Sequence, residues 1–311
     1  ETTTATNTYS LSFDGVDDYV QLPEISTELG QPNSSITTSL WFKKPSSNTS
    51  NNHGLLVHAS VAGGTIFSRI EATDDNKIYY YHRNSSSNNE AISNNTFELD
   101  EWNNVVYVIN GISGEIDVYI NGILDDGSHS TFDPNESYFA DNRSWQIGNA
   151  NWTSNGTHAF NGQIDNLSIW NTALTQEEIQ SYMSTPPTGS ESGLVGYWNF
   201  NEGSGTALTD QTTNGNDGTI NGATWSTDVP FQGGLTQVSD SSYTFNVAAA
   251  ADGIITPTIS TNAVLDRAAN GNTAASEYSV VYNGVAPSAP GELSASAGSQ
   301  QATLTWANNS E

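Results

Sequence analysis

The sequence predicts an all-β protein built as two-layered sandwiches, with a single short helix. Three observations support this: stretches of period-2 hydrophobic alternation, clusters of turn-forming residues that separate them, and only one segment carrying helix start signals. In EIDVYI (115–120) Ile116, Val118 and Ile120 fall on one side of a strand, with Glu115, Asp117 and Tyr119 on the other. With NVVYVIN (104–110) before it and Gly111 to Gly114 between, the pair reads as a β-hairpin. The one helix is predicted after a strand ending near Trp170. There Thr175 can cap the amides that Glu178 reciprocates, Leu174 can pack on Ile179, and the helix should run through Met183. STPPTGSESG (184–193) follows, a loop that its prolines exclude from helix or central strand.

At 311 residues the chain has room for about two domains, one of them large enough to enclose a full sandwich core. With no cysteine, disulfides, thiolate metal sites and cysteine nucleophiles are all excluded. Seven Lys and Arg stand against 34 Asp and Glu, a net charge of -27 that repels phosphate backbones and anionic lipid. Nucleic acid is therefore excluded as a partner. The acidity suits solubility in salty surroundings, calcium sites, or both. No apolar run reaches the roughly 18 residues of a membrane span, so direct membrane insertion is not expected. The start at Glu1 lacks the basic and apolar regions of a signal peptide, and a chain beginning inside a longer or processed protein is expected.

Several motifs carry more. GLVGYWNFNEGSGTALTDQTTNGNDGTINGATW (193–225) stands after SLSFDGVDDYV (10–20), SLWFKK (39–44), VYINGIL (118–124), WQIGNA (145–150) and FNGQIDNLSIWNTALTQEEI (160–179). Together they resemble the laminin-G-like, concanavalin A-like jelly roll over residues 8–230. The 193–225 motif resembles that domain's opening, so the chain reads as a circular permutant of the family order; the rival is a second such domain starting at Gly193. Permutation is tolerated where termini lie close together at the surface. The resemblance implies a fold shared by lectins, adhesins, enzyme appendages and structural modules, which does not specify a ligand.

Beyond Pro230 the composition shifts to Ala, Thr and Ser. YTFNVAAAADGIITPTISTNAVLDRAANGNTAASEYSVVYNG (243–284) resembles part of a bacterial immunoglobulin-like repeat, placed at 231–285. From residue 286 the sequence resembles the first strands of a fibronectin type III domain, with Trp306 as its core tryptophan. These resemblances imply a jelly roll followed by immunoglobulin-like β-sandwich segments, within a longer polypeptide carrying further domains. The expected setting is extracellular, on a bacterial cell surface.

Glu115 and Asp117 match the start of the E-x-D-x-x-E of laminarinase-type glucanases, but Ile120 stands where the acid is needed, and retaining hydrolysis requires two carboxyl groups. His53, His58, His82, His129 and His158 show no metalloprotease spacing, and neither a G-x-S-x-G elbow nor a Gly-rich phosphate loop is present. The chain is read as non-enzymatic.

Calcium fits better. FDGVDD (13–18), Asp165, Asp210, Asn214, Asn216 and Asp217 offer hard oxygen ligands on turns, although Asp and Asn also favour turns for local reasons. By resemblance a structural calcium would join Asp14 on the first strand to Asp165. For a glycan, Trp152 is read as an exposed platform with Asn149, Asn151 and His158 beside it. Tyr79 and Tyr81 share one strand face, either as part of a cross-strand aromatic ladder or as a stacking surface. Trp41, Trp102, Trp170, Trp198 and Trp225 are read as core. The expected function is adhesion, the jelly roll touching a glycan or another cell surface above a stalk of repeats. The alternatives are an accessory region of an exported polysaccharide-degrading enzyme, or a structural filament subunit.

Overall fold

A computed structural model describes residues 7–25, 29, 33–47, 53–59, 66–83, 88–125, 131, 144–148, 159–230, 236–239, 242–247, 253–255, 280–282, 293–298 and 301–307. The chain divides into two compact units, Glu1–Gln232 and Gly233–Glu311. In the first, the strands are β1 (Ser10–Asp14), β2 (Tyr19–Leu22), β3 (Ile36–Lys43), β4 (His53–Ala59), β5 (Ile66–Ala72), β6 (Ile78–Arg83), β7 (Asn88–Ile92), β8 (Trp102–Ile109), β9 (Ile116–Ile120), β10 (Ile123–Leu124), β11 (Ser144–Ile147) and β12 (Asn161–Trp170). Helix α1 (Gln176–Ser184) follows, then β13 (Leu194–Trp198), β14 (Ala207–Leu208), β15 (Gly218–Asn221) and β16 (Thr224–Ser226).

These strands form two eight-stranded antiparallel sheets. Sheet one runs β10-β9-β8-β3-β12-β1-β16, with β13 also on β12; sheet two runs β14-β15-β2-β11-β4-β5-β6-β7. The all-β sandwich with one short helix is as the alternation predicts. Leu11, Phe13, Leu40, Phe42, Tyr107 and Ile164 from sheet one meet Val20, Leu22, Leu56, Ile70, Tyr80 and Ile147 from sheet two in one continuous core. The predicted hairpin is β8–β9, closing with Ile109 opposite Ile116, and Gly114 takes the positive φ of 74° that its turn requires.

Helix α1 begins as its sequence dictates. The Thr175 side chain accepts from the Glu178 amide, and the Glu178 carboxylate accepts from the Thr175 amide at 2.8 Å. Leu174 and Ile179 then bury against Val106, Val108, Tyr119, Trp170 and Tyr197 on the outer side of sheet one. Alternation had set Tyr119 among the outward residues of β9. It does face outward, but the helix covers that side, so it is buried all the same.

The segment from Gly193 completes this sandwich and does not open a second one. β13 pairs with the second half of β12, Leu167 opposite Trp198, while β1 pairs with the first half, Leu11 opposite Ile164. The two strands thus lie end to end along one side of β12. β16 covers the free edge of β1, and β15 pairs with β2. Trp198 and Phe200 are fully buried in the main core. Asn201 fastens the incoming chain, its side-chain oxygen accepting from the Thr8 amide at 2.7 Å, the Thr8 hydroxyl at 3.0 Å and the Tyr9 amide at 3.2 Å.

In the second unit β17 (Thr236–Ser239), β18 (Ser242–Val247), β22 (Gln301–Ala307) and β21 (Leu293–Gly298) form one sheet in that order, and β19 (Gly253–Ile255) pairs with β20 (Val280–Tyr282). Tyr243 lies opposite Trp306, so strands from both sides of residue 285 share a sheet.

Candidate functional site

Strand β6 sorts its chemistry by alternation. Tyr80 and His82 point into the sandwich, where Tyr80 packs 4.3 Å from the Tyr107 ring and His82 is 2% exposed. Burial pulls the His82 imidazole down to about 4, so it is neutral within the core at pH 7. Tyr79 and Tyr81 take the opposite, outer side of sheet two, where both are half-buried. Across the sheet Tyr81 stands between Arg69 and Glu90, and Tyr79 between Glu71 and Ile92. None of these directly opposed residues is aromatic.

Arg69 organises the face instead. Its guanidinium carbon lies 5.4 Å from the Tyr79 ring centroid and 5.0 Å from that of Tyr81. Its Nε is 3.2 Å from the carboxylate of Glu71, which is fully buried. The Tyr79 hydroxyl lies near Glu90 and Arg69. Burial above all, and then the Glu90 carboxylate, push it up to about 12, so it remains a protonated donor at neutral pH. Both rings therefore pack against one guanidinium that is itself paired with a buried carboxylate, which restricts their rotamers before binding. Further along the same side, the Gln146 amide donates to Gln21 at 2.9 Å, and Gln21 donates to the carbonyls of Leu22 and Trp145. Val57, between these amides and Arg69, is fully buried, so the tyrosine end and the glutamine end are separate surfaces.

Of the other expected ligand residues, Asn149, Asn151, Trp152 and His158 lie outside the described residues. The tryptophans divide. Trp170 and Trp198 are core, whereas Trp41, Trp102 and Trp225 are half-buried. Trp102 donates its indole N–H to Asp228 at 2.9 Å, and Trp225 donates to the Gly205 carbonyl at 3.1 Å. Trp225, opposite Leu11 on the edge strand β16, still packs against the main core, whereas expecting Trp41 and Trp102 to be core overlooked that one strand side faces solvent wherever no helix covers it.

The expected calcium ligands do not converge. Asp14 is opposite Asn161 on β12, whereas Asp165 is four residues further along, roughly 13 Å at strand spacing, so one ion cannot touch both. Asp165 is fully buried and accepts from the Asn7 side chain at 2.6 Å, and burial pushes its carboxyl well above the usual range. The Asp210 carboxylate accepts four bonds, from the amides of Tyr197, Thr212 and Asn216 and from the Thr212 hydroxyl. Asp217 accepts from the Asp210 amide, and the Asn216 side chain donates to the Val195 carbonyl. Here the local turn role of Asp and Asn occupies the donor set.

Within FDGVDD (13–18), however, a trio fits a hard cation. Asp14, Asp17 and Asp18 each place a carboxylate oxygen within 4.8 Å of the others, close to the span across a calcium ion bound at about 2.3–2.6 Å. Desolvation raises the Asp18 carboxyl, and the charges of Asp14 and Asp17 raise it further. Gly222 leaves the room Asp18 needs, since a Cβ there would stand 2.0 Å from its Oδ1.

Comparison with known proteins agrees with the fold. A family model described as the concanavalin A-like lectin/glucanases superfamily matches residues 14–180, more than half of the chain. Among solved structures, the chain resembles a candidate carbohydrate-binding protein from Bacteroides ovatus, at TM-score 0.53 and 18% identity, covering 73% of this chain and 62% of that one. The present chain thus spans less than two thirds of that protein. It is also similar to a heptameric pentraxin from Limulus polyphemus, at TM-score 0.43 and 17% identity over 57% of this chain and 82% of that one. Domain 4 of an extracellular arabinanase from Geobacillus stearothermophilus, solved with arabinotriose, matches at TM-score 0.40 and 21% identity over 55% and 75% of the two chains. No curated protein matches.

Proposed function

The chain belongs to the concanavalin A-like lectin/glucanases superfamily, and from that membership we propose that its jelly roll is a non-catalytic carbohydrate-binding module. Its ligand surface is the outer side of β5–β7. One observation carries the reading: Tyr79 and Tyr81, half-buried on that side, both pack against the guanidinium of Arg69, which Glu71 pairs. Such rings offer flat apolar area to the C–H face of a sugar, while the surrounding carboxylate and hydroxyl groups serve as hydrogen-bonding partners for its hydroxyls.

The wider reading is an extracellular adhesive protein of a bacterial surface. In it the second unit, with its immunoglobulin-like and fibronectin-like segments, holds the jelly roll away from its anchor. Calcium enters as a structural ion held by Asp14, Asp17 and Asp18, where its charge would offset three adjacent carboxylates. The circular permutation is part of the same reading, supported by β1 and β13 sharing one side of β12.

The test is a broad glycan array probed with the full chain, followed by titration of the best ligand. Tyr81→Ala should weaken binding by about 1 kcal/mol, roughly fivefold in Kd, without moving the melting temperature. An intact chain that binds no member of the array would refute the reading.

A further inference from the structure

Register sets Thr219, Gln21 and Gln146 side by side on the outer side of sheet two, in β15, β2 and β11, with Asn221 beside Tyr19 in the next row. By sequence, no outward position of β14, β15, β2 or β11 carries a charge, on a chain with 34 Asp and Glu. Val57, fully buried, parts this surface from Arg69 and the tyrosines.

The two glutamines have fixed orientations. Gln21 donates both hydrogens of its Nε2 to backbone carbonyls, of Leu22 at 2.9 Å and of Trp145 at 3.0 Å; carbonyls only accept, so the amide cannot be reversed. Its Oε1 is therefore the acceptor that the Nε2 of Gln146 meets at 2.9 Å, which fixes the second amide in turn. Among the described residues Gln146 makes no other hydrogen bond, and it is half-buried, so its Oε1 and one N–H remain for a ligand.

An acceptor and a donor preset on one amide match the N–H and C=O of another. Tyr19, half-buried and diagonal to Gln146 across β2 and β11, adds apolar area within reach of a methyl group. Amide and methyl together make an acetamido group, and a plain hydroxyl supplies no methyl.

We propose, resting on the carbohydrate-binding reading above, that the outer side of β2, β11 and β15 is a second sugar site, which takes uncharged 2-acetamido sugars through Gln146 and Tyr19.

The probes are chitotetraose and cellotetraose, neutral chains of one backbone that differ at C2, where the first has an acetamido group and the second a hydroxyl. Titrated into the full chain by calorimetry, chitotetraose should bind about tenfold more tightly, the worth of one or two added hydrogen bonds. The side-chain amide resonances of Gln146 should move with chitotetraose in the wild-type chain. Gln146→Met, nearly isosteric and without the amide, should abolish the preference and leave the melting temperature in place. Tyr81→Ala should keep the preference, because Gln146 and Tyr81 stand three strand spacings apart, roughly 14 Å. The proposal is overturned if the wild-type chain does not prefer chitotetraose, if the Gln146 resonances stay still, if Gln146→Met keeps the preference, or if Tyr81→Ala removes it. Each of these outcomes leaves the tyrosine face standing as a ligand surface, whereas a glycan array with no bound member removes the carbohydrate-binding reading and this site with it.

Discussion

His82 sets an expectation that can be worked to a number. The ring sits on the inner side of β6, opposite Ser68 of β5 and Asn89 of β7, and stacks 6.4 Å from Tyr80. Among the described residues, the titratable groups on that side are His58 on β4, in register with Ser68, His53 further along β4, then Tyr80 and, across the core, Tyr107; Glu71 and Glu90 lie on the other face. Burial lowers the imidazole from 6.5 to about 4, which at about 1.4 kcal/mol per tenfold change in proton affinity amounts to about 3 kcal/mol. Because the folded-state value is depressed, that contribution is complete above the unfolded value of 6.5 and disappears as pH falls towards 4. The perturbation is His82→Gln, and the assay is urea unfolding followed by tryptophan fluorescence at half-unit steps from pH 8 to pH 4. Wild type should exceed the variant by a constant margin above pH 7. The margin should then shrink by about 3 kcal/mol on the way down. Taking the difference between the two proteins cancels the other titrations, Asp165 among them. A margin that stays level within about 0.5 kcal/mol would refute the reasoning and show that the ring titrates in the folded chain as it does in the unfolded one.

Three more outcomes follow from the same structure. Asp165 has the opposite sign: its buried carboxyl is raised, so its contribution is present at low pH and lost as pH rises through the folded value, and Asp165→Asn should raise the melting temperature at pH 8 more than at pH 4. Calcium should raise the melting temperature of the first unit, by about 2.7 kcal/mol of added stability at a hundredfold excess over Kd, and Asp17→Asn should blunt the response; identical melting in chelator would remove the ion. A chain ending at residue 190 loses Trp198, Phe200, Leu208 and Ile220 from the core and should show no cooperative transition in calorimetry, whereas a sharp transition at an unchanged temperature would contradict the shared sandwich.

What the sequence disclosed depended on the distance over which each feature is decided. The α1 cap is settled within four residues, Thr175 to Glu178, and was legible. So was the sorting of Tyr79 and Tyr81 to one face, which alternation alone determines. Which side chains stand beside them was not, because Arg69, Glu71 and Glu90 arrive from neighbouring strands whose register is set by the whole sheet. One local signal was available: Arg69 and Glu71 are two apart in FSRIEA, so any strand there pairs opposite charges on one side. The Asp14 and Asp165 pairing failed for the same reason. Both residues sit on adjacent strands, but a stagger of four residues, invisible in the sequence, parts them. Trp41 and Trp102 were misjudged because sheet one is covered by α1 over only part of its outer side.

The bond from the Ser10 hydroxyl to the Asp228 carbonyl, 2.6 Å long, brings together the first and last strands of the sandwich. With Ser10 opposite Ser226, the polypeptide enters and leaves the first unit at neighbouring points. Tension applied at those two points would act across the β1–β16 ladder, opening its hydrogen bonds one after another instead of loading them together. Lys43 and Trp102, each 2.9 Å from an oxygen of the Asp228 carboxylate, close over the place where that peeling would start. In a chain under pull the module would behave as a pendant held by a small clasp, and the strength of the clasp would set the force at which it opens.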